Sequence, residues 1–284
     1  MKDHSNSQQP VGIFDSGVGG LSVLRAIQKL LPHENLLYLG DQAHIPYGPR
    51  LKAKIRAFAF EITSFLLEQG AKLIVVACNT ASAAALVELR QYFPEIPFVG
   101  MEPAVKPAAE TTQTGKVGVL ATPTTFSGDL YASVVERFAK NVMILQDTCP
   151  GLVESIEAGE MQGGETRQIL EKALDPMLAE GIDTIVMGCT HYPFVIPLIQ
   201  SITGPGVRII DPAPAIARQT RRLLDHHHIL NLEQIPGKVR YFTTGEIDKF
   251  SKLLTVLLGQ TGPVEKVFWR EILKLGDDLS THPG

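Results

Sequence analysis

The chain states one short phrase twice, and each time the phrase closes on a cysteine. Ile74-Val-Val-Ala-Cys78-Asn79-Thr80 recurs as Ile185-Val-Met-Gly-Cys189-Thr190-His191, 111 positions later (189 − 78). Two further segments repeat in the same order at an offset of 106 (117 − 11 and 144 − 38). Val11-Gly-Ile-Phe-Asp15-Ser16 matches Val117-Gly-Val-Leu-Ala121-Thr122, and Tyr38-Leu-Gly-Asp41 matches Ile144-Leu-Gln-Asp147. Three ordered matches predict two structurally similar halves. Each half would offer a thiol at the end of an apolar strand, so that two thiols face one another across a cleft.

The strands themselves are legible as short runs of Val, Ile and Leu at 11–14, 36–39, 73–77, 97–100, 117–120, 142–145, 184–187 and 207–210. Continuous apolarity marks strands covered on both faces, as in a parallel sheet. Helix-compatible spacing lies between them at 21–31, 51–69, 81–92, 128–139, 165–180 and 213–226, with Gly70 and Gly181 at helix-ending positions. The fold class is therefore α/β: two pseudo-symmetric parallel-sheet domains with the site in the cleft between them. The expected division is 1–97 plus 211–284 for a discontinuous first domain and 98–210 for the second. Pro94-Glu-Ile-Pro97 and Gly204-Pro-Gly206 read as the connections between halves, and the polar tail beyond Lys274 reads as a mobile end.

Several function classes are disfavoured. The net charge is −4 and no basic block or basic helix face stands out, so nucleic acid is not expected as a partner. No apolar run approaches the ~18 residues needed to span a bilayer, and residues 1–10 are polar with no apolar h-region. A cytoplasmic enzyme is expected, with no membrane partner. Three cysteines without a C-x-x-C pair indicate reduced thiols rather than a disulfide framework or a zinc ribbon. His226-His-His228 is expected to be a solvated helix end or loop.

In parallel sheets ligands bind beyond the carboxyl ends of the strands. Asp15-Ser16, Asp41, Cys78-Asn79-Thr80, Thr122, Asp147 and Cys189-Thr190-His191 all fall at such ends. A lone cysteine in an apolar setting is usually a small core residue. Two at matched positions, each followed by a hydroxyl or an amide, point instead to reactive thiols, whereas Cys149 has no counterpart and reads as core. His191 lies two positions after Cys189 and could exchange its proton; Asp15 could equally be a turn or helix cap. Gly17-Val-Gly-Gly20 lacks the last glycine of a dinucleotide fingerprint, although Asp41 mimics its ribose-binding acid. Cys78, Cys189 and His191 could supply three zinc ligands, but neither motif offers an acidic or histidine fourth. A two-lobed binding protein would have no use for reactive thiols.

A quasi-symmetric thiol pair suits one reaction well. Removing the hydrogen α to a carboxylate and returning it on the opposite face needs a base on one side and an acid on the other. No strand-end motif contains the lysine that a pyridoxal mechanism requires. None contains arginine either, so carboxylates would be held by neutral donors and helix N-termini.

Gly12-Ile-Phe-Asp-Ser-Gly-Val-Gly-Gly20, Gly40-Asp41 followed by Ile45-Pro-Tyr-Gly48, Ala77-Cys-Asn-Thr-Ala-Ser82, Gly100-Met-Glu-Pro103 and Gly188-Cys-Thr-His-Tyr-Pro193 resemble the glutamate racemases of the aspartate/glutamate racemase superfamily. The resemblance covers about residues 11–220 and departs from the family pattern at Thr124 and Gly128. It implies cofactor-independent interconversion of L- and D-glutamate, supplying D-glutamate for peptidoglycan, with aspartate racemase, hydantoin racemase or a decarboxylase as alternatives in the same fold. By the same resemblance Cys78 acts on the D-enantiomer and Cys189 on the L-enantiomer. Asp15 and His191 assist the nearby thiols, and Glu154 is a further auxiliary acid. Asp15, Ser16, Tyr47, Gly48, Asn79, Thr80, Thr190 and His191 correspond to substrate contacts, with Thr122 and Thr125 as additions. A homodimer is implied, and no metal.

Overall fold

The computed structural model describes residues 7–268, and the tail beyond Lys274 lies outside the described residues. The chain opens with β1 (Val11–Asp15), α1 (Leu21–Leu30), β2 (Leu36–Gly40), α2 (Lys52–Glu68), β3 (Leu73–Val76), α3 (Asn79–Tyr92), β4 (Phe98–Gly100) and α4 (Val105–Thr111). It continues with β5 (Lys116–Ala121), α5 (Pro123–Phe126), α6 (Asp129–Phe138), β6 (Met143–Asp147), α7 (Leu152–Glu157), α8 (Gly164–Ala179), β7 (Thr184–Gly188), a 3-10 turn (Tyr192–Val195), α9 (Ile196–Thr203) and β8 (Arg208–Ile210). The last part is α10 (Ala213–His226), β9 (Val239–Thr243), α11 (Ile247–Leu258) and β10 (Val264–Lys266).

The strands form two sheets of parallel pairs, ordered β10-β9-β2-β1-β3-β4 and β6-β5-β7-β8. The order β2-β1-β3-β4 is thus repeated as β6-β5-β7-β8. The repeated phrases are the structural equivalents β1 and β5, β2 and β6, β3 and β7. Because every pair is parallel, the carboxyl ends of all strands in a sheet lie on one edge, and both cysteines follow such an end.

Helices cover each sheet because the strands are apolar on both faces. On one face of the first sheet α1, α10 and α11 pack Leu24, Ile27, Ala217 and Leu254 against Ile13, Tyr38 and Val75. On the other face α2 and α3 pack Phe58, Ile62, Leu66 and Ala85 against Phe14, Leu39 and Val76. Each large apolar side chain so buried contributes roughly 1.5–3 kcal/mol before entropy is charged against it. In the second body α8 and the segment through α9 cover one face, and α4 and α6 cover the other. Gly70 and Gly181 follow α2 and α8 with φ of +86° and +82°, the left-handed geometry that ends a helix.

Two expectations about the boundaries change. Pro94-Glu-Ile-Pro97 turns between α3 and β4 inside the first body, because β4 pairs with β3 (Ile74 opposite Phe98). Gly204-Pro-Gly206 turns between α9 and β8, which pairs with β7. The chain crosses over in 101–115, which carries α4 onto the second sheet, and crosses back at Asp211-Pro212. We propose a division with the first boundary moved past Gly100 for this reason, and with 211 onward in the first body. The C-terminal part contributes β9 and β10, which its sequence did not announce as strands.

Leu24 is fully buried in the core beneath α1. Leu24→Ala is expected to lower the unfolding free energy by about 2–5 kcal/mol, the cost of lost burial plus the cavity left behind. Urea denaturation of the variant beside the wild type measures it.

Candidate active site

Cys78 and Cys189 line one cavity between the two bodies, together with Ser16, Pro46, Tyr47, Gly48, Asn79, Thr80, Thr122, Val153, Thr190 and His191. Among the described residues no lysine or arginine lines it. The cavity volume is about 20 Å³, room for roughly one water. Hydrogen bonds across the cleft hold the bodies this close. Thr80 Oγ1 and Thr122 Oγ1 are 2.9 Å apart, and the Thr124 hydroxyl donates to the Gly48 carbonyl; within the second body Thr122 Oγ1 is also 3.0 Å from Thr125 Oγ1. Ser22 Oγ lies 3.0 Å from the Thr190 carbonyl oxygen.

The first thiol stands where β3 ends and α3 begins. Cys78 is the N-cap of α3 in extended geometry, and its sulfur accepts the Ala81 N–H at 3.4 Å. Ser16 Oγ lies 3.8 Å from the same sulfur. Burial, then the neighbouring Asp15, pushes the Cys78 thiol well above its ordinary range, against the opposing pull of the Ala81 N–H. Asp15 is itself fully buried at the end of β1. Its Oδ2 accepts the Gly20 N–H at 2.9 Å and its Oδ1 the Thr190 hydroxyl at 3.4 Å. Burial raises the Asp15 carboxyl, outweighing the pull of His191.

The second thiol has a different neighbour. Cys189 Sγ lies 3.8 Å from His191 Nδ1. The far ring nitrogen of His191 meets Glu157 Oε1 at 2.8 Å, with both side chains buried. Burial favours a neutral imidazole, but the hydrogen bonds to Cys189 and Glu157 outweigh it and hold His191 well above its ordinary value. Burial likewise opposes the Glu157 carboxylate. His191, the Val18 N–H at 2.7 Å and the Gln42 amide at 2.8 Å prevail and hold it below the usual range. Both shifts favour the charged forms, an imidazolium beside a carboxylate.

Glycines permit this closeness. A Cβ on Gly17 would stand 2.1 Å from Glu157 Oε1, and one on Gly19 would stand 2.4 Å from His191 Nδ1. The segment Gly17-Val-Gly-Gly20 of the first body is therefore a seat for side chains of the second.

Among the expected site residues, Asp15, Cys78, Cys189, His191, Ser16, Asn79, Thr80, Thr122 and Thr190 come together. Asn79 is buried with neither amide atom hydrogen-bonded. Tyr47 lines the cavity with its ring, because its hydroxyl donates to Asp41 Oδ2 at 2.6 Å. Thr125 does not line the cavity, and its hydroxyl meets that of Thr122 instead. Glu154 is exposed on α7. Leu152 and Ile156 turn one side of that helix into the core, and Glu154 lies about half a turn away from them. Glu157, beside Ile156, is the carboxylate that enters the site, and an acid next to the apolar stripe was the available signal for it. Cys149 is core, its N–H donating to Asp147 Oδ1 at 2.7 Å. His226 to His228 are exposed at the end of α10. Among the described residues no group of three or more His, Cys, Asp or Glu could hold a metal ion.

A family described as Asp/Glu/Hydantoin racemase matches residues 17–220. The chain is 50% identical over 260 residues to a glutamate racemase of Ectopseudomonas mendocina, covering 92% of this chain and 98% of that protein. Among solved structures, a glutamate racemase of Bacillus anthracis superposes with a TM-score of 0.82 at 34% identity, covering 92% of this chain and 98% of that one. The Escherichia coli glutamate racemase, in complex with L-glutamate and the activator UDP-MurNAc-Ala, gives 0.80 at 33% identity, with coverages of 92% and 98%.

Replacing Glu157 by glutamine removes the charge that, with the hydrogen bond to Cys189, raises His191 above its ordinary value. Glu157→Gln is expected to lower the pH at which the His191 ring titrates by about one unit or more, read from imidazole ¹⁵N shifts across a pH series.

Proposed function

The chain belongs to the Asp/Glu/hydantoin racemase family, and from that premise we propose that it interconverts L- and D-glutamate by a two-thiol acid–base mechanism without a cofactor. One observation carries this: two thiols from matched strand ends line a single cavity with unlike partners, Asp15 by one and His191 by the other. In the D-to-L direction the Cys78 sulfur, as thiolate, takes the Cα hydrogen as a proton, and the electron pair stays on Cα beside the carboxylate. Cys189 then gives its thiol proton to the opposite face. The product is inverted, Cys78 is protonated and Cys189 is a thiolate, and exchange through Asp15 and His191 restores the starting pair. The reverse direction begins at Cys189.

Neutral donors stabilise the charge that develops next to the carboxylate. The unpartnered Asn79 amide, the hydroxyls of Ser16, Thr80 and Thr190 and the N–H groups opening α3 are the donors available. Ligand clefts commonly measure ~300–1,000 Å³, so the bodies must part to admit glutamate and close to expel water. Supply of D-glutamate for peptidoglycan, a cytoplasmic location and a homodimeric assembly complete the proposal and rest on the family resemblance.

Two groups set the pH dependence. Below its lowered value Glu157 takes a proton and His191 loses its anionic partner; above its own raised value His191 loses its proton. Activity should fall on both sides, and Glu157→Gln should bring the alkaline limb to lower pH.

In D₂O without added cofactor, the wild type should place deuterium at Cα of either glutamate enantiomer, seen by proton NMR. Absence of exchange refutes the proposal, and faster exchange of aspartate in the same assay transfers it to that substrate. Cys78→Ser and Cys189→Ser should each reduce racemisation by about 10³-fold or more, measured by circular dichroism; full activity in either excludes the two-thiol scheme.

A further inference from the structure

Gln42 follows β2 and is not part of the cavity lining, yet its amide nitrogen donates to Glu157 Oε2 at 2.8 Å. A second contact fixes which way the amide faces. Thr243 Oγ1, at the end of β9, accepts the Gly245 N–H at 3.0 Å, which leaves its own proton for Gln42 Oε1 at 3.1 Å. With the oxygen turned to Thr243, the NH₂ group faces the carboxylate. Glu157 belongs to the second body, and its other oxygen takes the Val18 N–H and His191 Nε2. Two of the three donors on the carboxylate that partners His191 therefore come from the opposite body.

We propose that Gln42 is a positioning residue for the Cys189 half of the reaction: it holds Glu157 from across the cleft and so sets His191 against Cys189 only while the bodies are together. The inference rests on the two-thiol reading above. Gln42 acts through Glu157, and Glu157 through His191. Among the described residues, Asp15 at the end of β1 and Tyr38 from β2 also feel the Glu157 charge. Asp15, when ionised, repels the carboxylate, and Tyr38 gives its hydroxyl proton to the Gly17 carbonyl at 2.7 Å. Neither replaces the Gln42 donor. Without it one oxygen of a buried carboxylate loses a hydrogen bond that favours the charged form, and Glu157 binds a proton more readily.

Gln42→Leu should move the acid limb of the kcat profile to higher pH by about one unit, the size expected for a hydrogen bond to a charged group. KM should stay within about twofold. Thr243→Val, which removes the hydroxyl that orients the amide at nearly constant size, should move it the same way by less, and it carries the test should Gln42→Leu not fold. A readout independent of turnover is the ¹³C titration of the Glu157 carboxyl, assigned with Glu157→Gln, which should shift in parallel. An unmoved titration overturns the inference, as does a moved titration with an unmoved rate profile. Wild-type protein that fails to exchange the Cα hydrogen refutes the two-thiol reading instead, and the titration still decides whether Gln42 holds the carboxylate.

Discussion

A carboxylate taken out of water needs donors for its oxygens, and Glu157 finds them on both bodies of the chain. Val18 and Gln42 approach from the first, His191 from its own. The satisfied ion is possible only when the bodies are in contact, and the contact is possible only because Gly17 and Gly19 carry no side chain where Glu157 and His191 arrive. Burying such a pair is seldom a gain in stability by itself, since desolvation offsets much of the attraction. Its value lies in geometry: the imidazole is held at one orientation, with Nδ1 toward Cys189.

The same contact breaks the symmetry that the repeat creates. Matching strands put both thiols at matching places, yet the first sits at a helix N-cap beside a buried acid, while the second sits before a 3-10 turn beside a basic ring. A mirror-image pair of substrates presents the same groups in opposite order, so one site must meet each with a different set of neighbours. In the proposed two-thiol reaction, unequal surroundings for equal thiols answer that need.

Much of the fold was readable because parallel strands buried on both faces leave uninterrupted apolar runs, as at Ile74–Ala77 and Thr184–Met187 in the sequence. The thiols were readable for a local reason as well, since each ends such a run. What the sequence hid had physical causes. β9 reads Val-Arg-Tyr-Phe-Thr, with Arg240 on the exposed side beside Glu265, and so lacks the continuous apolar run. Glu157 was harder to read because helix α7 is six residues long, so the stripe of Leu152 and Ile156 that marks its inner side spans little more than one turn, and the resemblance pointed to Glu154 instead. Gln42 carries no signal at all, because what gives it meaning is Thr243, which lies 201 positions away in the chain.

The return of the chain to its first sheet bears on how the molecule comes into being. The four strands of the second sheet are contiguous in sequence and complete once residue 210 has been made, whereas the first sheet waits for β9 and β10. On a ribosome, where segments fold in the order they emerge, the middle of the chain can finish before the part that precedes it. The half that emerged first is then closed last, against a partner already built, and the two sulfurs acquire their common cavity only at that final step.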